Sequence, residues 1–525
     1  MRSIILCGLV ACGDNAYPTF DRMTDWTLVA PEHSVGAVVG EAIEVPIRIS
    51  GPVPHPALEL RLESLPEGVA ADRVVAQPYD VVVEVRLTTA DAAAHGEPVT
   101  AAVVASQGEQ GEHELRTELR VFVRGRAGAL DTTFASTGLR RVDFGWQGYS
   151  LPESPVVVAV RPDGELIVAA TIAATLGLAV NATRLASDGG IAPGFGEPRS
   201  DPRIPSGTVF TSIVPPVAVL GVIARPDGSF VIGATRATGD GIVAISYTAA
   251  GQLDDSFGDH GFARFRIDVP GLRTGGAALR QDSRGRLVFA GYASSSFDDS
   301  DAWVVRFDPN GTLDATFGTA GYARFGMGGR RTTAHDLAIR DDDSVVVVGV
   351  AKDAGVAPRV AVASLTETGR LDGRGDLAFG VTVNDEIDPR IALDREGRPV
   401  VAAFTRVGCA MCYRLARLHG DNTPDPTFGV DGWSELGPSG VPRSVVVDDQ
   451  GRIVVGGSKG GLVLARYATD GVLDRTFGVA GAVATELGGE DGEWVYSLGL
   501  VPDGRIAASG IGGVPTRAVV ARYWH

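Results

Sequence analysis

The stretch GVLDRTFGVAG at residues 471–481 constrains the fold most, because variants of it recur along the last three-quarters of the chain. The pattern reads GQLDDSFGDHG from Gly251, GTLDATFGTAG from Gly311 and GALDTTFASTG from Gly128; weaker copies ending in Phe195, Phe379 and Phe428 bring the number to seven. A second signature alternates with it: PDGELIVAAT from Pro162, PDGSFVIGAT from Pro226, SRGRLVFAGY from Ser283, DDSVVVVGVA from Asp342, REGRPVVAAF from Arg395, DQGRIVVGGS from Asp449 and PDGRIAASGI from Pro502. In each, an Asp/Gly turn, where glycine takes positive φ without steric cost, links two strands into a hairpin. A third strand follows, then the LDxxFG turn, then a fourth strand such as GYARF from Gly321. A small sheet copied every roughly 50 to 60 residues, each covering its neighbour's apolar face, means radially arranged blades or a solenoid.

The two ends of the repeat region favour a ring. VVARYWH ends after a third strand, whereas the repeats open with ALDTTF at Ala129, the turn that follows a third strand. Residues 130–143 are therefore expected to supply the outer strand of the last sheet, whose other strands lie within about residues 494–524. The repeats resemble the delta-60 repeat family, bacterial exported proteins whose repeats are thought to form β-propellers; the second copy (IAPGFG) and the fifth (LDGRGDLAFG) depart from the pattern. The resemblance implies an all-β chain with a seven-bladed β-propeller over residues 126–525.

Residues 26–125 lack the repeat. AIEVPIRIS from Ala42, ALELRLESL from Ala57, DVVVEVRLTT from Asp80, PVTAAVVAS from Pro98 and ELRTELRVFVRG from Glu114 alternate apolar and polar residues, as half-buried antiparallel strands do. With strands near residues 27–30 and 73–77 this makes about seven, the size of an immunoglobulin-like β-sandwich. LPEGV at residues 65–69 also resembles a turn of bacterial immunoglobulin-like modules.

MRSIILCGLVACGDNA opens with one basic residue and a short apolar run, which reads as an export signal. Leu9, Val10, Ala11 and Cys12 resemble a bacterial lipobox, which implies a signal over residues 1–12, lipid on Cys12, a polar tether over 13–25, and membrane attachment. Asp14 stands one place beyond the position associated with inner-membrane retention, so the outer membrane or cell surface is expected. A plain cleaved signal and a cytosolic chain are the alternatives. The formal charge of −17 argues against nucleic acid as a partner.

Function is harder to place. On the signature rim, Asp163, Asp227, Asp314 and Asp474 read as turn formers, and Phe257, Phe317 and Phe477 as fillers between sheets. The opposite rim collects irregular loops: Trp146 with Tyr149, residues 197–216, Arg273, the acidic Asp298, Asp299 and Asp301, Arg330 with Arg331, and residues 490–494 ending in Trp494. They are weighed as a ligand face against a merely solvated surface. His335 opens a channel-side strand, and Asp388 reads as its equivalent in the next repeat, which makes the pair a channel-mouth candidate. No catalytic, metal-binding or cofactor motif is recognisable. CAMC at residues 409–412 lies between strands, without the helix or second cysteine pair that redox or zinc chemistry needs, and reads as a disulfide between Cys409 and Cys412. The leading expectation is a monomeric, non-enzymatic, lipid-anchored propeller binding a glycan or protein. A carbohydrate- or lactone-acting enzyme with its site at the channel mouth, and a structural envelope component, are the alternatives.

Overall fold

The computed structural model describes residues 26–31, 35–51, 57–90, 99–107, 113–144, 155–174, 177–196, 205–212, 217–236, 241–296, 299–458, 461–487, 493–513 and 517–525. Among them every regular element is a strand, and no helix is long and apolar enough to cross a membrane. The chain divides into two compact units, Met1–Arg124 and Gly125–His525.

In the first unit, alternation makes two one-sided sheets. Ala42–Ser50 buries Val45, Ile47 and Ile49, and Val82–Thr89 buries Val83, Val85 and Leu87, while the residues between them face outward. These strands form one sheet with Thr27–Val29 and Val69–Ala71. The other sheet runs Val35–Val38, His113–Arg124, Val99–Gln107, Leu58–Glu63 and Val74–Ala76. Leu58, Leu60, Ala101, Val103, Leu119 and Val121 from this sheet join the apolar residues of the first in a single core around Trp26. Among the described residues nine strands stand where the pattern suggested about seven. Val35–Val38 and Val69–Ala71 are four and three residues long, too short for alternation to register.

Strands of the second unit are buried on both faces, as in Val345–Lys352, Pro399–Thr405 and Leu462–Tyr467, because each sheet is covered by a neighbour on either side. Most sheets carry four antiparallel strands in sequence order, for example Val217–Ala224, Phe230–Arg236, Ile242–Tyr247 and Phe262–Phe265. Successive residues of one strand serve different cores: Ile167 and Ala169 pack toward Phe230 and Ile232 of the next sheet, whereas Leu166 and Val168 pack toward Ala507 and Val520 of the last. That last sheet also packs on the one before it through Val519 and Ala521, against Leu462 and Leu464. The stack of sheets thus closes on itself. First strands meet in the same cycle: Val156–Val160 touches both Val217–Ala224 and Trp494–Leu500.

The closing strand comes from the start of the unit. Leu139–Val142 pairs antiparallel with Arg517–Trp524 (Leu139 opposite Ala521, Val142 opposite Ala518), and Leu130 bridges to Tyr523. In the sheet of Arg359–Leu365, the inserted residues of the fifth repeat form a full strand, Leu371–Leu377, paired with it. The next sheet has three strands, its outer position held by the bridges Ala416 to Trp433 and Cys412 to Ser439.

One device recurs at the LDxxFG turns. The Asp314 carboxylate accepts from Thr316 through Oδ1 (2.6 Å from the hydroxyl, 3.0 Å from the amide), closing the turn, and accepts from Arg306 of the third strand through Oδ2 (2.7 Å). The Arg306 guanidinium lies 4.6 Å over the Phe317 ring. Arg417, Asp425 and Phe428 repeat this arrangement, as do Arg466, Asp474 and Phe477, and Arg522, Asp131 and Phe134. Where Ala192 replaces the aspartate, Arg184 turns to Glu165 instead (3.3 Å). Sheets are also keyed to one another here: Gly471, at φ +85°, lies so close to Phe428 of the preceding repeat that a Cβ would come within 2.8 Å of the ring.

Candidate functional site at the channel mouth

The opposite end of the sheets is shaped by bulges in the first strands. The register slips between Val219 and Gly221, Gly276 and Ala278, Ala334 and Asp336, Pro442 and Ser444, and Val495 and Ser497. Each slip leaves one extra residue: Leu220, Ala277, His335, Arg443 and Tyr496. A bulge adds a residue to one strand only and re-aims its side chain. All but His335 line a central cavity of about 610 Å³, which Arg280, Asp336 and Arg390 also line. His335 and Arg443 line a second cavity of about 500 Å³ near the strand starts, together with Tyr292, Arg331, Thr333, Lys352, Asp385, Glu386 and Asp388. Arg443 is common to both.

Asp388 is the hub of this mouth. Its Oδ1 lies 2.9 Å from His335 Nδ1, and its Oδ2 accepts from Arg390 (2.6 Å) and from Arg443. Burial alone would raise the Asp388 carboxyl, but Arg390, His335 and Arg443 hold it far below the ordinary carboxylate range. An ionised Asp388 can only accept, so His335 Nδ1 donates to it. Thr333 Oγ1 stands 3.1 Å from His335 Nε2, within hydrogen-bond reach. Arg390 also donates to the His335 carbonyl (3.1 Å), fixing the bulge. Arg443 completes the group by lying 5.1 Å over the Trp494 ring.

A second carboxylate is fixed on the same wall. Asp385 takes Nε and Nη2 of Arg406 at 2.8 and 2.6 Å, and those hydrogen bonds hold it well below the usual range despite its burial. Arg406 in turn donates to the Ala410 carbonyl (2.7 Å) in the short loop that a Cys409–Cys412 disulfide closes.

The expected site residues divide accordingly. Arg331, His335 and Asp388 line one cavity, and Trp494 joins them through Arg443. Arg273 and Asp299 are exposed, Asp301 pairs with Arg324 (2.9 Å), and the backbone of Arg330 donates to Asp353 (3.0 Å); none of these four lines the cavity. Cys12, Trp146 and Asp298 lie outside the described residues. Asp388 is not in phase with His335: His335 stands five residues before the turn residue Arg340, and the residue five before its counterpart Asp394 is Pro389. The two side chains meet because Asp388 stands two residues before the strand Arg390–Leu393. Sequence reasoning missed Arg390 and Arg443. Arg443 had a usable signal, since it stands five residues before the turn residue Asp448, the phase that His335 occupies. Among the described residues no group of three or more His, Cys, Asp or Glu is arranged to hold a metal ion.

The chain matches the family described as a domain of unknown function (DUF5122) beta-propeller, at residues 285–317 and 451–477. The repeated, self-closing sheets carry the same architecture. Gly125–His525 is a β-propeller. None of the curated proteins matches the chain in sequence. Among solved structures, the propeller-containing chain is similar to a quinonprotein alcohol dehydrogenase-like protein from Bacteroides thetaiotaomicron (10% identity over 87% of this chain and 96% of that one, TM-score 0.36). It is also similar to a polysaccharide lyase, a PL25 ulvan lyase (11% identity, 73% and 96%, TM-score 0.38), and to an endo-arabinase from Bacteroides thetaiotaomicron (10% identity, 53% and 98%, TM-score 0.28). At such scores these likenesses bear on neither activity nor ligand.

Proposed function

We propose that the protein is an exported binding protein whose propeller, seven-bladed and of the delta-60 repeat type, presents the channel mouth to a ligand without catalysing a reaction. The observation that carries this is the convergence of His335, Asp388, Arg390, Arg443 and Trp494 from four different repeats beside a cavity of about 500 Å³. Such a volume falls within the roughly 300 to 1,000 Å³ of small-molecule sites, and polar groups held by their own partners are pre-organised for recognition. In the first unit, an immunoglobulin-like reading is supported by the sheet order Thr27–Val29, Ala42–Ser50, Val82–Thr89, Val69–Ala71, which parallels the A-B-E-D sheet of that sandwich. Lipid on Cys12 would anchor the chain at the outer membrane or cell surface as a monomer.

Ligand binding is tested by screening full-length protein against glycans and metabolites while following hydrogen exchange. A ligand should protect the mouth strands, and Arg443→Met should abolish that protection. Protection confined to other surfaces, or unchanged in the variant, would remove the mouth from the reading. For anchoring, Cys12→Ala should release the protein from the membrane fraction and end fatty-acid labelling; a variant equally membrane-bound would overturn the anchor.

A second reading is enzymatic, and one observation favours it. The chain of contacts from Thr333 through His335 to Asp388 sets an imidazole nitrogen 3.1 Å from a hydroxyl, with a carboxylate orienting the ring, the geometry that general-base chemistry requires. Turnover of any ester, lactone or glycoside that is lost in His335→Gln would establish this reading over simple binding.

A further inference from the structure

Two cations face one another in the mouth cavity, one exposed and one half-buried. Arg331 and Lys352 are directly opposite one another across antiparallel strands, and both line the cavity. Directly opposed residues project from the same face of a sheet with Cβ atoms roughly 5 Å apart, and like charges so placed repel. Two of the cavity's carboxylates are answered, Asp385 by Arg406 and Asp388 by Arg390, Arg443 and His335, whereas Glu386 forms no ion pair among the described residues. Among the described residues neither Arg331 nor Lys352 has a side-chain partner, and Glu386, on the same wall, forms no ion pair with them. Local choices that oppose stability are expected where a ligand completes the arrangement.

We propose that Arg331 and Lys352 together seat the anionic group of an acidic saccharide. This rests on the reading of the mouth as a binding site and names its ligand class. A carboxylate or sulfate between the two cations would turn their repulsion into two charge-assisted contacts. Tyr292 supplies the apolar part of the seat: it lies across Gly275, where a Cβ would come within 2.5 Å of its Cζ, so the ring is fixed against backbone and lines the cavity. Aromatic surface beside a few convergent polar groups is the composition of small-molecule sites, and it suits a sugar ring carrying one charge.

The test uses full-length protein and three probes: an oligogalacturonate, its neutral methyl ester, and a sulfated galactan oligosaccharide. Binding of either acidic probe should weaken by roughly 10- to 100-fold in Arg331→Gln and in Lys352→Met, as expected for loss of a hydrogen bond to a charged group. Without ligand, both variants should melt at or above the wild-type temperature, because each removes a repulsion. Which acidic probe binds more tightly distinguishes carboxylate from sulfate. Equal binding of acid and methyl ester would overturn the anion seat while leaving the mouth as a neutral-sugar site. Failure of every saccharide would overturn both. Lowered melting temperature in both unliganded variants would show the cations to be structural and would sink the proposal.

Discussion

The two ends of the propeller's strands follow opposite rules. At the LDxxFG end, repeat after repeat uses the same residues for the same purpose: Asp314, Asp425, Asp474 and Asp131 each close a turn with one oxygen and hold a third-strand arginine with the other. Those arginines lie nearly inaccessible over phenylalanine rings. At the mouth the same structural position, the bulge of the first strand, holds Leu220, Ala277, His335, Arg443 and Tyr496 in different repeats. What is repeated keeps the ring together, and what varies is free to recognise something. Repetition and variation are thus separated along the strand direction.

Two experiments would break that separation if it is wrong. The largest expected effect comes from the closing strand. A chain starting near Gly125 should fold, whereas one starting near Ser150 loses Leu139–Val142, leaves Arg517–Trp524 unpaired on one edge, and removes Leu130 and Leu139 from the cluster they help to cover. Each buried side chain is worth roughly 1.5 to 3 kcal/mol against a net stability of about 5 to 15. The shorter chain should aggregate or melt far lower, and equal melting temperatures would mean that this strand does not close the ring. Next in size is Asp425→Ala, which strips Arg417 (2.8 Å) and Arg398 (3.2 Å) of a buried partner and should cost about 3 to 5 kcal/mol in chemical denaturation. Arg331→Gln at the mouth should cost nothing measurable. A similar loss in both would erase the distinction between the two ends.

The difference also explains what could be read from sequence. Asp314 and Phe317 recur at fixed spacing in copy after copy, so the turns, the sheets and the closing strand were legible as repetition. The arginine facing that aspartate recurs at Arg306, Arg417, Arg466 and Arg522 but gives way to Ser246 opposite Asp254, so its link to the turn is visible only in the fold. The mouth was only partly legible. A bulge shifts parity by one residue, so His335 was matched to Asp388 when Pro389 is its counterpart, and Arg443 was missed because no neighbouring repeat carries arginine there. Residues that act by being unlike their equivalents keep the phase of the repeat but not its residue type.

A pH series sharpens the comparison at the signature end. Burial would raise the Asp425 carboxyl, but the Thr427 hydroxyl and amide and the Arg417 guanidinium bring it down to about 2. In the unfolded chain it titrates near 3.9, so that state takes up the proton first as the pH falls. The stabilisation is therefore complete above about pH 4 and is lost between there and about 2. Thermal melts of Asp425→Asn should begin lower at neutral pH and lose less than wild type across that interval. Parallel acid limbs in the two proteins would mean that the carboxylate does not hold the ring.

The smallest effect is expected from the Cys409–Cys412 disulfide, and it falls on the mouth side. Both cysteines should resist alkylation until reduced, and two reactive thiols in native protein would contradict the bond. In the entropic account a bridge stabilises less the shorter the loop it closes, so Cys409→Ser with Cys412→Ser should cost about 2 kcal/mol or less. Its consequence should be local. The loop presents the Ala410 carbonyl to Arg406, and Arg406 holds Asp385 on the cavity wall. Hydrogen exchange should therefore quicken in residues 382–385 and 406–412, while the Arg417 and Arg466 turns keep their protection. Should the double variant melt as low as Asp425→Ala, this loop would be holding the ring as the LDxxFG turns do, and the mouth could no longer be treated as free of structural duty.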